Sequence, residues 1–281
     1  MKVVVTGATG FVGRYTVKSL LDEGCEVISI TTNKSITNDI MEMLKGSELV
    51  YVNSLEGVSE RMIQNNCIIH CAWNNVQNTL APSHYLHAFE QIKIIENLAA
   101  FKPKKLIITG TCYEFGLTTG SVSVSDKTEP NTPYAQAKKF VHCAADKIIS
   151  ESARIEFVWA RLFYMYGKGQ HEKSIYSQLI TAIENNEAAF DMSKGEQLFD
   201  YMKIEQVANN LAYLVQHKAP KIVHVCNGYP TSLRSLVESI VQEYNSPIAL
   251  KLGCYPYRTQ DSMALWGSES FDFQIKNVFE K

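Results

Sequence analysis

Seven short runs rich in β-branched and aliphatic residues alternate with longer segments of helical spacing, and this alternation limits the possible fold more than any other feature. The runs are Lys2 to Thr6, Glu26 to Ile30, Glu48 to Val52, Cys67 to Cys71, Lys105 to Thr109, Ile155 to Ala160 and Lys221 to Val225. Between them Val12 to Glu23, Glu56 to Asn65, Ser83 to Phe101, Pro133 to Ser150 and Ile204 to His217 repeat their apolar residues every three or four positions. Strands that read as continuous apolar runs are buried on both faces, and helical crossovers between them make the sheet parallel. The expected fold class is therefore α/β, a Rossmann-like doubly wound parallel sheet. Past Tyr166 the rhythm breaks into "YGKGQHEKS", and after residue 230 one helix, Leu233 to Tyr244, stands amid irregular Pro- and Tyr-containing sequence. We expect residues 1–165 with 203–230 to form the sheet domain, and residues 166–202 with 231–281 a smaller substrate-binding lobe.

The first strand and helix carry a specific signal. In "VVVTGATGFVGRYTVKSLL" the glycines Gly7, Gly10 and Gly13 separate the strand from a helix with apolar positions at Val12, Val17, Leu20 and Leu21. Such a turn brings backbone close to a pyrophosphate, and the helix end offers free N–H groups and the positive end of its dipole. A dinucleotide is expected here; a glycine turn without a ligand is the plain alternative. Composition points the same way. A net charge of −2 on 281 residues, with scattered lysines, gives no footprint for nucleic acid or an anionic membrane. Seven cysteines, with no Cys-x-x-Cys, suggest reduced thiols and no metal site. No apolar stretch has signal-peptide or membrane-span length, so cytoplasm is the expectation.

A second constellation lies in "NTPYAQAKK", where Tyr134 and Lys138 stand four apart at the start of a helix with Pro133 at its first position. The ammonium and the positive helix end are both expected to favour the phenolate, making Tyr134 a proton donor or acceptor near neutrality. A similar pair, Tyr164 and Lys168, straddles Gly167 and has no helix to align it. Without a ligand, Tyr134 and Lys138 could be no more than the solvated end of an amphipathic helix.

The opening "TGATGFVG", together with this pair, resembles the extended branch of the short-chain dehydrogenase/reductase superfamily, the nucleotide-sugar epimerases, dehydratases and reductases. The resemblance places Gly7, Thr9, Gly10, Phe11, Val12 and Gly13 on the cofactor. It makes Thr111, five residues before Gly116 in "TGTCYEFG", the third catalytic residue beside Tyr134 and Lys138, with Thr109 as its competitor. It puts Ala72 against the cofactor, Lys138 on the nicotinamide ribose and Phe163 by the nicotinamide. Trp73, Cys112, Tyr113, Tyr164 and Arg258 are implied to face the substrate, and His70 is read as a packed strand histidine. Dehydratases of this branch carry Asp-Glu where this chain has Cys112 and Tyr113, so dehydration is not expected. Phe199 stands where an Arg usually touches the nucleotide.

The loop after the second strand, Thr31-Thr32-Asn33-Lys34, lacks the acidic residue that holds an adenine ribose. Thr32, Asn33 and Lys34 suit a 2′-phosphate, so NADP(H) is expected over NAD(H). The overall pattern is similar to the nucleotide-linked 4-keto-6-deoxysugar reductases, the subgroup of CDP-abequose synthase and dTDP-fucose synthase. The resemblance thus implies reduction of a nucleotide-diphosphate sugar in surface-polysaccharide synthesis. A sugar-nucleotide 4-epimerase with tightly held NAD and a non-catalytic NADP-sensing module are the alternatives. Apolar residues on more than one face of Ser83 to Phe101 and Pro133 to Ser150 suggest the homodimer common in this branch.

Overall fold

A computed structural model describes residues 1–151 and 154–279. In chain order the first half runs β1 (Lys2–Thr6), α1 (Phe11–Asp22), β2 (Glu26–Thr31), α2 (Asn38–Met43), β3 (Glu48–Tyr51), α3 (Glu60–Ile63), β4 (Cys67–His70), α4 (Ser83–Ala100), β5 (Lys105–Thr111), β6 (Gly120–Val122) and α5 (Pro133–Ser150). The second half runs β7 (Glu156–Leu162), β8 (Tyr164–Tyr166), α6 (Ile175–Glu184), β9 (Ala189–Asp191), β10 (Leu198–Phe199), β11 (Tyr201–Lys203), α7 (Ile204–Gln216), β12 (Ile222–Val225), β13 (Thr231–Ser232), α8 (Leu233–Glu243), β14 (Ala249–Lys251), β15 (Ala264–Gly267) and α9 (Phe271–Phe279).

The seven expected strands form one parallel sheet in the order β12-β7-β5-β4-β1-β2-β3. Alternation along each strand divides the core between its two faces. Val3, Val5, Ile69, Ile107 and Val158 point toward Val17 and Leu20 of α1 and Val207 and Leu211 of α7. Val4, Ile28, Ile68, Leu106 and Ile108 point toward Ile95 and Leu98 of α4 and Val141 and Ala145 of α5. Each fully buried Val, Ile or Leu contributes roughly 1.5–3 kcal/mol, so both faces are strongly held. The strand order reverses between β1 and β4, which opens a crevice at their carboxyl ends.

Buried Lys105 at the start of β5 closes the far end of α7. Its Nζ donates to the carbonyls of Leu214 and His217, both at 2.6 Å, and pairs with Glu156 at 2.7 Å. A cation there satisfies the orphan carbonyls and the negative helix end together.

The lobe has its own small core, in which Leu179 and Ala182 of α6 meet Leu236, Val237 and Ile240 of α8, with Phe190 and Ile248 beneath. It is joined to the sheet domain by a second sheet, β13-β10-β15-β6, to which residues 120–122 contribute the strand β6. Asp200, without exposed surface, reinforces the junction by accepting from the N–H groups of Asn227 at 2.7 Å and Gly228 at 2.8 Å.

Three departures from the expected elements have physical causes. The helix expected over 56–65 is broken into a single turn at Leu55–Gly57 and α3, with Val58 extended between them, because Gly57 and Val58 propagate a helix poorly. The break also lets Leu55, Val58 and Ile63 all enter one core. The lobe segment 166–202 contains α6, whose Leu179 and Ala182 supply an inward face. The stretch after Tyr244, expected to be irregular and part of the lobe, ends in α9, whose Phe271 and Ile275 join the core beneath β12.

Candidate active site

The glycine turn lies at the crevice. Gly7 has φ +69°, and a side chain there would bring its Cβ within 2.8 Å of Ala72 at the end of β4. A Cβ on Gly13 would sit 2.1 Å from the Gly7 carbonyl oxygen. The turn therefore closes only without side chains, and Gly10 stands at the N-cap of α1 with no side chain to cap it. The first-turn N–H groups of Phe11, Val12 and Gly13 and the positive helix end are left to meet an anion. The cradle fits the pyrophosphate of a dinucleotide, and Ala72 abuts it. Thr9 hydrogen-bonds Thr31 at 2.8 Å, fixing the turn to the end of β2.

Thr31 is buried and also accepts from the Asn33 N–H at 3.0 Å. Beyond it Thr32, Asn33 and Lys34 are exposed, while the Asn33 side chain caps Ser35 N–H at 2.9 Å.

Thr132 caps α5 by accepting from Ala135 N–H at 3.3 Å, and Pro133 starts the helix, so Tyr134 enters the crevice on its first turn. The ring of Tyr134 is enclosed by Trp73, His84 and Tyr113 at centroid distances of 5.9, 5.2 and 6.2 Å. The Thr111 side chain lies near enough to the Tyr134 hydroxyl to favour its ionised form. Thr111 Oγ1 in turn accepts from the Tyr113 N–H at 3.2 Å, which leaves the Thr111 proton to donate. Thr109, its competitor, is occupied: its hydroxyl donates to His70 O at 3.2 Å and its carbonyl receives Lys138 Nζ at 2.8 Å.

The electrostatics differ from the sequence expectation. Burial pushes the Tyr134 hydroxyl well above its ordinary value, and the neighbouring Thr111 side chain opposes that only in part. Lys138 is lowered to about 7, chiefly by burial, and lies over the Trp73 ring at 4.1 Å from its centroid. Desolvation is the largest influence here, so the phenol is neutral rather than poised as phenolate.

Tyr113 and Tyr164 lie side by side, with ring centroids 5.8 Å apart. Tyr164 also stacks on Phe199 at 4.1 Å, and Lys168 only lends its carbonyl to Tyr15, so this second Tyr/Lys pair has no common site. Cys112 is buried below this aromatic wall, and Arg258 is exposed on the rim, near enough to Tyr113 and Asp261 to bias their titration. Phe163 is 3% exposed and its ring turns away to pack on His224 at 5.1 Å, so the side chain faces the core. His70 is a packed histidine: Thr6 and Gln91 hold its two nitrogens and burial lowers it to about 4.

Sequence reasoning passed over His84 and Glu114. His84 accepts from Trp73 Nε1 at 3.2 Å and donates to Asn78 O at 3.0 Å, fixing the indole over Lys138. Nothing in the local sequence marks it. Glu114, three residues after Thr111, completes a capping box, and Thr-x-x-Glu is a readable signal for one.

Residues 3–226 match the sequence profile of the NAD dependent epimerase/dehydratase family. The chain is 30% identical to the dTDP-6-deoxy-L-talose 4-dehydrogenase (NAD(+)) of Aggregatibacter actinomycetemcomitans over 96% of its length and the whole of that relative. It is 23% identical to the CDP-abequose synthase of Salmonella muenchen over 96% of this chain and 90% of that one. A solved UDP-N-acetylglucosamine 4-epimerase from Methanobrevibacter ruminantium M1, in complex with UDP-N-acetylmuramic acid, superposes with a TM-score of 0.84 at 23% identity, covering 98% of this chain and 91% of that one.

Proposed function

The chain belongs to the NAD dependent epimerase/dehydratase family, oxidoreductase-type enzymes of the extended short-chain dehydrogenase kind, and on that premise we propose that it reduces the 4-keto group of a nucleotide-linked 4-keto-6-deoxyhexose with NADPH. The observation that carries the reading is the meeting of Thr111, Tyr134 and Lys138 at the crevice, with Cys112 and Tyr113 where elimination of water would need a second acid and base. A relative named as a dTDP-6-deoxy-L-talose 4-dehydrogenase catalyses, by that name, oxidation at the same carbon, the reverse of the reduction proposed here. The family's substrates make a nucleotide-diphosphate sugar the partner, facing Trp73, Tyr113, Tyr164 and Arg258.

NADPH, held at the crevice, would provide the hydride for C4. Tyr134, kept protonated by burial, gives its proton to O4 as negative charge grows there. Thr111, whose Oγ1 already accepts from Tyr113 N–H, donates its own proton to the same oxygen and orients it. Lys138 would hold the nicotinamide ribose, and Gly7, Thr9, Gly10, Phe11, Val12, Gly13 and Ala72 would hold the pyrophosphate half. Lys34, with Thr32 and Asn33 on an exposed loop lacking a carboxylate, favours NADPH. Because a relative at 30% identity is named for NAD(+), the ratio of kcat/KM for NADPH and NADH decides this point directly.

The homodimer belongs to the same proposal. On α4 and α5 the exposed Tyr85, Leu86, Phe89 and Phe140 form one apolar face, with Phe89 and Phe140 rings 5.8 Å apart. No helix among the described residues is long and apolar enough to cross a membrane.

The experiment is a panel of dTDP-, CDP-, GDP- and UDP-linked 4-keto-6-deoxyhexoses followed by NADPH absorbance. Oxidation of NADPH by one or more members is the expected result. Interconversion of two sugars without added cofactor would make the protein a 4-epimerase instead, and NADPH binding without turnover of any member would leave only a sensing role.

A further inference from the structure

Behind Thr111 lies a carboxylate that the chemistry of reduction does not call on. Glu114 has no exposed surface. Its Oε1 accepts from the Thr111 main-chain N–H at 3.1 Å and from Trp159 Nε1 at 2.9 Å, and its Oε2 accepts from Arg161 Nε at 2.9 Å. Arg161 and Trp159 are neighbours on β7, both buried, and His142 of α5 lies flat on the Trp159 ring at 4.5 Å. The strand makes room for this arrangement: a Cβ on Gly110 would fall 2.2 Å from Trp159 Nε1 and 2.9 Å from Glu114 Oε1. A carboxylate withdrawn from water needs matched donors merely to break even, and a packed apolar side chain would serve stability at least as well. Its presence calls for a reason at the site it adjoins.

We propose that Glu114 is the positioning residue of the active site: it ties the Thr111–Gly116 turn to β7 so that the Thr111 hydroxyl faces Tyr134. Two of its bonds reach β7 and the third reaches the backbone of Thr111 itself, so the hydroxyl that must meet the substrate oxygen is held by a rigid, buried fork. The charged and titratable groups facing Glu114 are Arg161 from β7, His142, Tyr134 and Lys138 from α5, and Cys112 on its own turn. Burial lowers His142 to about 4, so it is neutral at pH 7 and Arg161 is the paired cation. The Glu114 charge acts on both catalytic groups in the same direction, favouring the protonated phenol and the charged ammonium.

The inference rests on Tyr134 being the proton donor, and the test separates the two readings. Crystal structures of the protein, Trp159→Phe and Glu114→Gln report the Thr111 hydroxyl with no sugar present. Trp159→Phe removes one bond and keeps the carboxylate, and Glu114→Gln keeps the size of the side chain and withdraws the partner of Arg161; both turn the hydroxyl away from Tyr134. With a 4-keto sugar and NADPH at pH 7, each lowers kcat about tenfold while KM for NADPH stays within about twofold. A purely structural role would lower stability and leave the Thr111 placement and kcat as they are. An unmoved Thr111 hydroxyl, or an unchanged kcat, in both variants overturns the proposal; absence of turnover with every sugar refutes the functional reading and leaves the Thr111 placement to judge this one.

Discussion

Replacing Lys138 with Met should make the protein more stable and inactive at once. Lys138 is 4% exposed, and its ammonium touches only the Thr109 carbonyl and the face of Trp73, with Glu114 as the nearest countercharge acting on it. At ~1.4 kcal/mol per pH unit, a lysine held at about 7 rather than 10.5 destabilises the fold by ~5 kcal/mol while both states are charged. Methionine removes that penalty and strands the Thr109 carbonyl, which costs ~1–3 kcal/mol. The expected gain at pH 7 is therefore ~2–4 kcal/mol, read as a higher urea midpoint with unchanged slope. The gain must also fade with pH. Below about 7 folded and unfolded chains both carry the proton and the penalty is full; between about 7 and 10.5 only the unfolded chain binds it, so the wild type gains stability as pH rises. By pH 9 the lysine penalty has fallen to ~2 kcal/mol, near the cost of the lost hydrogen bond. Equal urea midpoints at pH 7, or a gain that persists unchanged at pH 9, would refute the reasoning.

Tyr134→Phe should lower turnover about 10²–10⁴-fold while NADPH still binds, measured by nucleotide fluorescence beside the steady-state assay. Lys34→Glu should reduce the NADPH-to-NADH ratio of kcat/KM by about three- to tenfold or more, since an exposed charge is replaced by its opposite next to a dianion. Lys105→Met should cost ~2–4 kcal/mol in urea unfolding by leaving the Leu214 and His217 carbonyls without their buried donor. Phe140→Glu should halve the mass seen by light scattering if α4 and α5 form the homodimer face, and leave it unchanged otherwise.

The sheet was legible because its signal is local and repeated. Val3 to Val5, Ile68 with Ile69, and Leu106 to Ile108 are apolar at consecutive positions, which only strands covered on both faces require. Gly7 and Gly13 were legible because each stands where a side chain would collide with backbone. Thr111, Tyr134 and Lys138 came from spacing and resemblance, and the structure brings them to one crevice. What escaped depends on distance in space. Desolvation of Tyr134 and Lys138 follows from the closing of Trp73, His84 and Tyr113 over them, and no sequence interval encodes it. The inward turn of Phe163 is decided by His224, sixty-one positions later. In the lobe, α6 shows Leu179 and Ala182 at helical spacing but follows a glycine-rich loop that hid its start.

Strand β6 gives the lobe a root inside the other half of the molecule. Its three residues leave the chain directly after the Thr111–Gly116 turn and pair with β15, some 145 positions downstream. No single cut can therefore exchange the lobe for that of a relative, since any graft that carries β15 leaves its pairing partner behind. A substitution in β15 acts through that pairing on the segment that follows the Thr111–Gly116 turn, and a graft keeps the pairing only if it also carries residues 120–122.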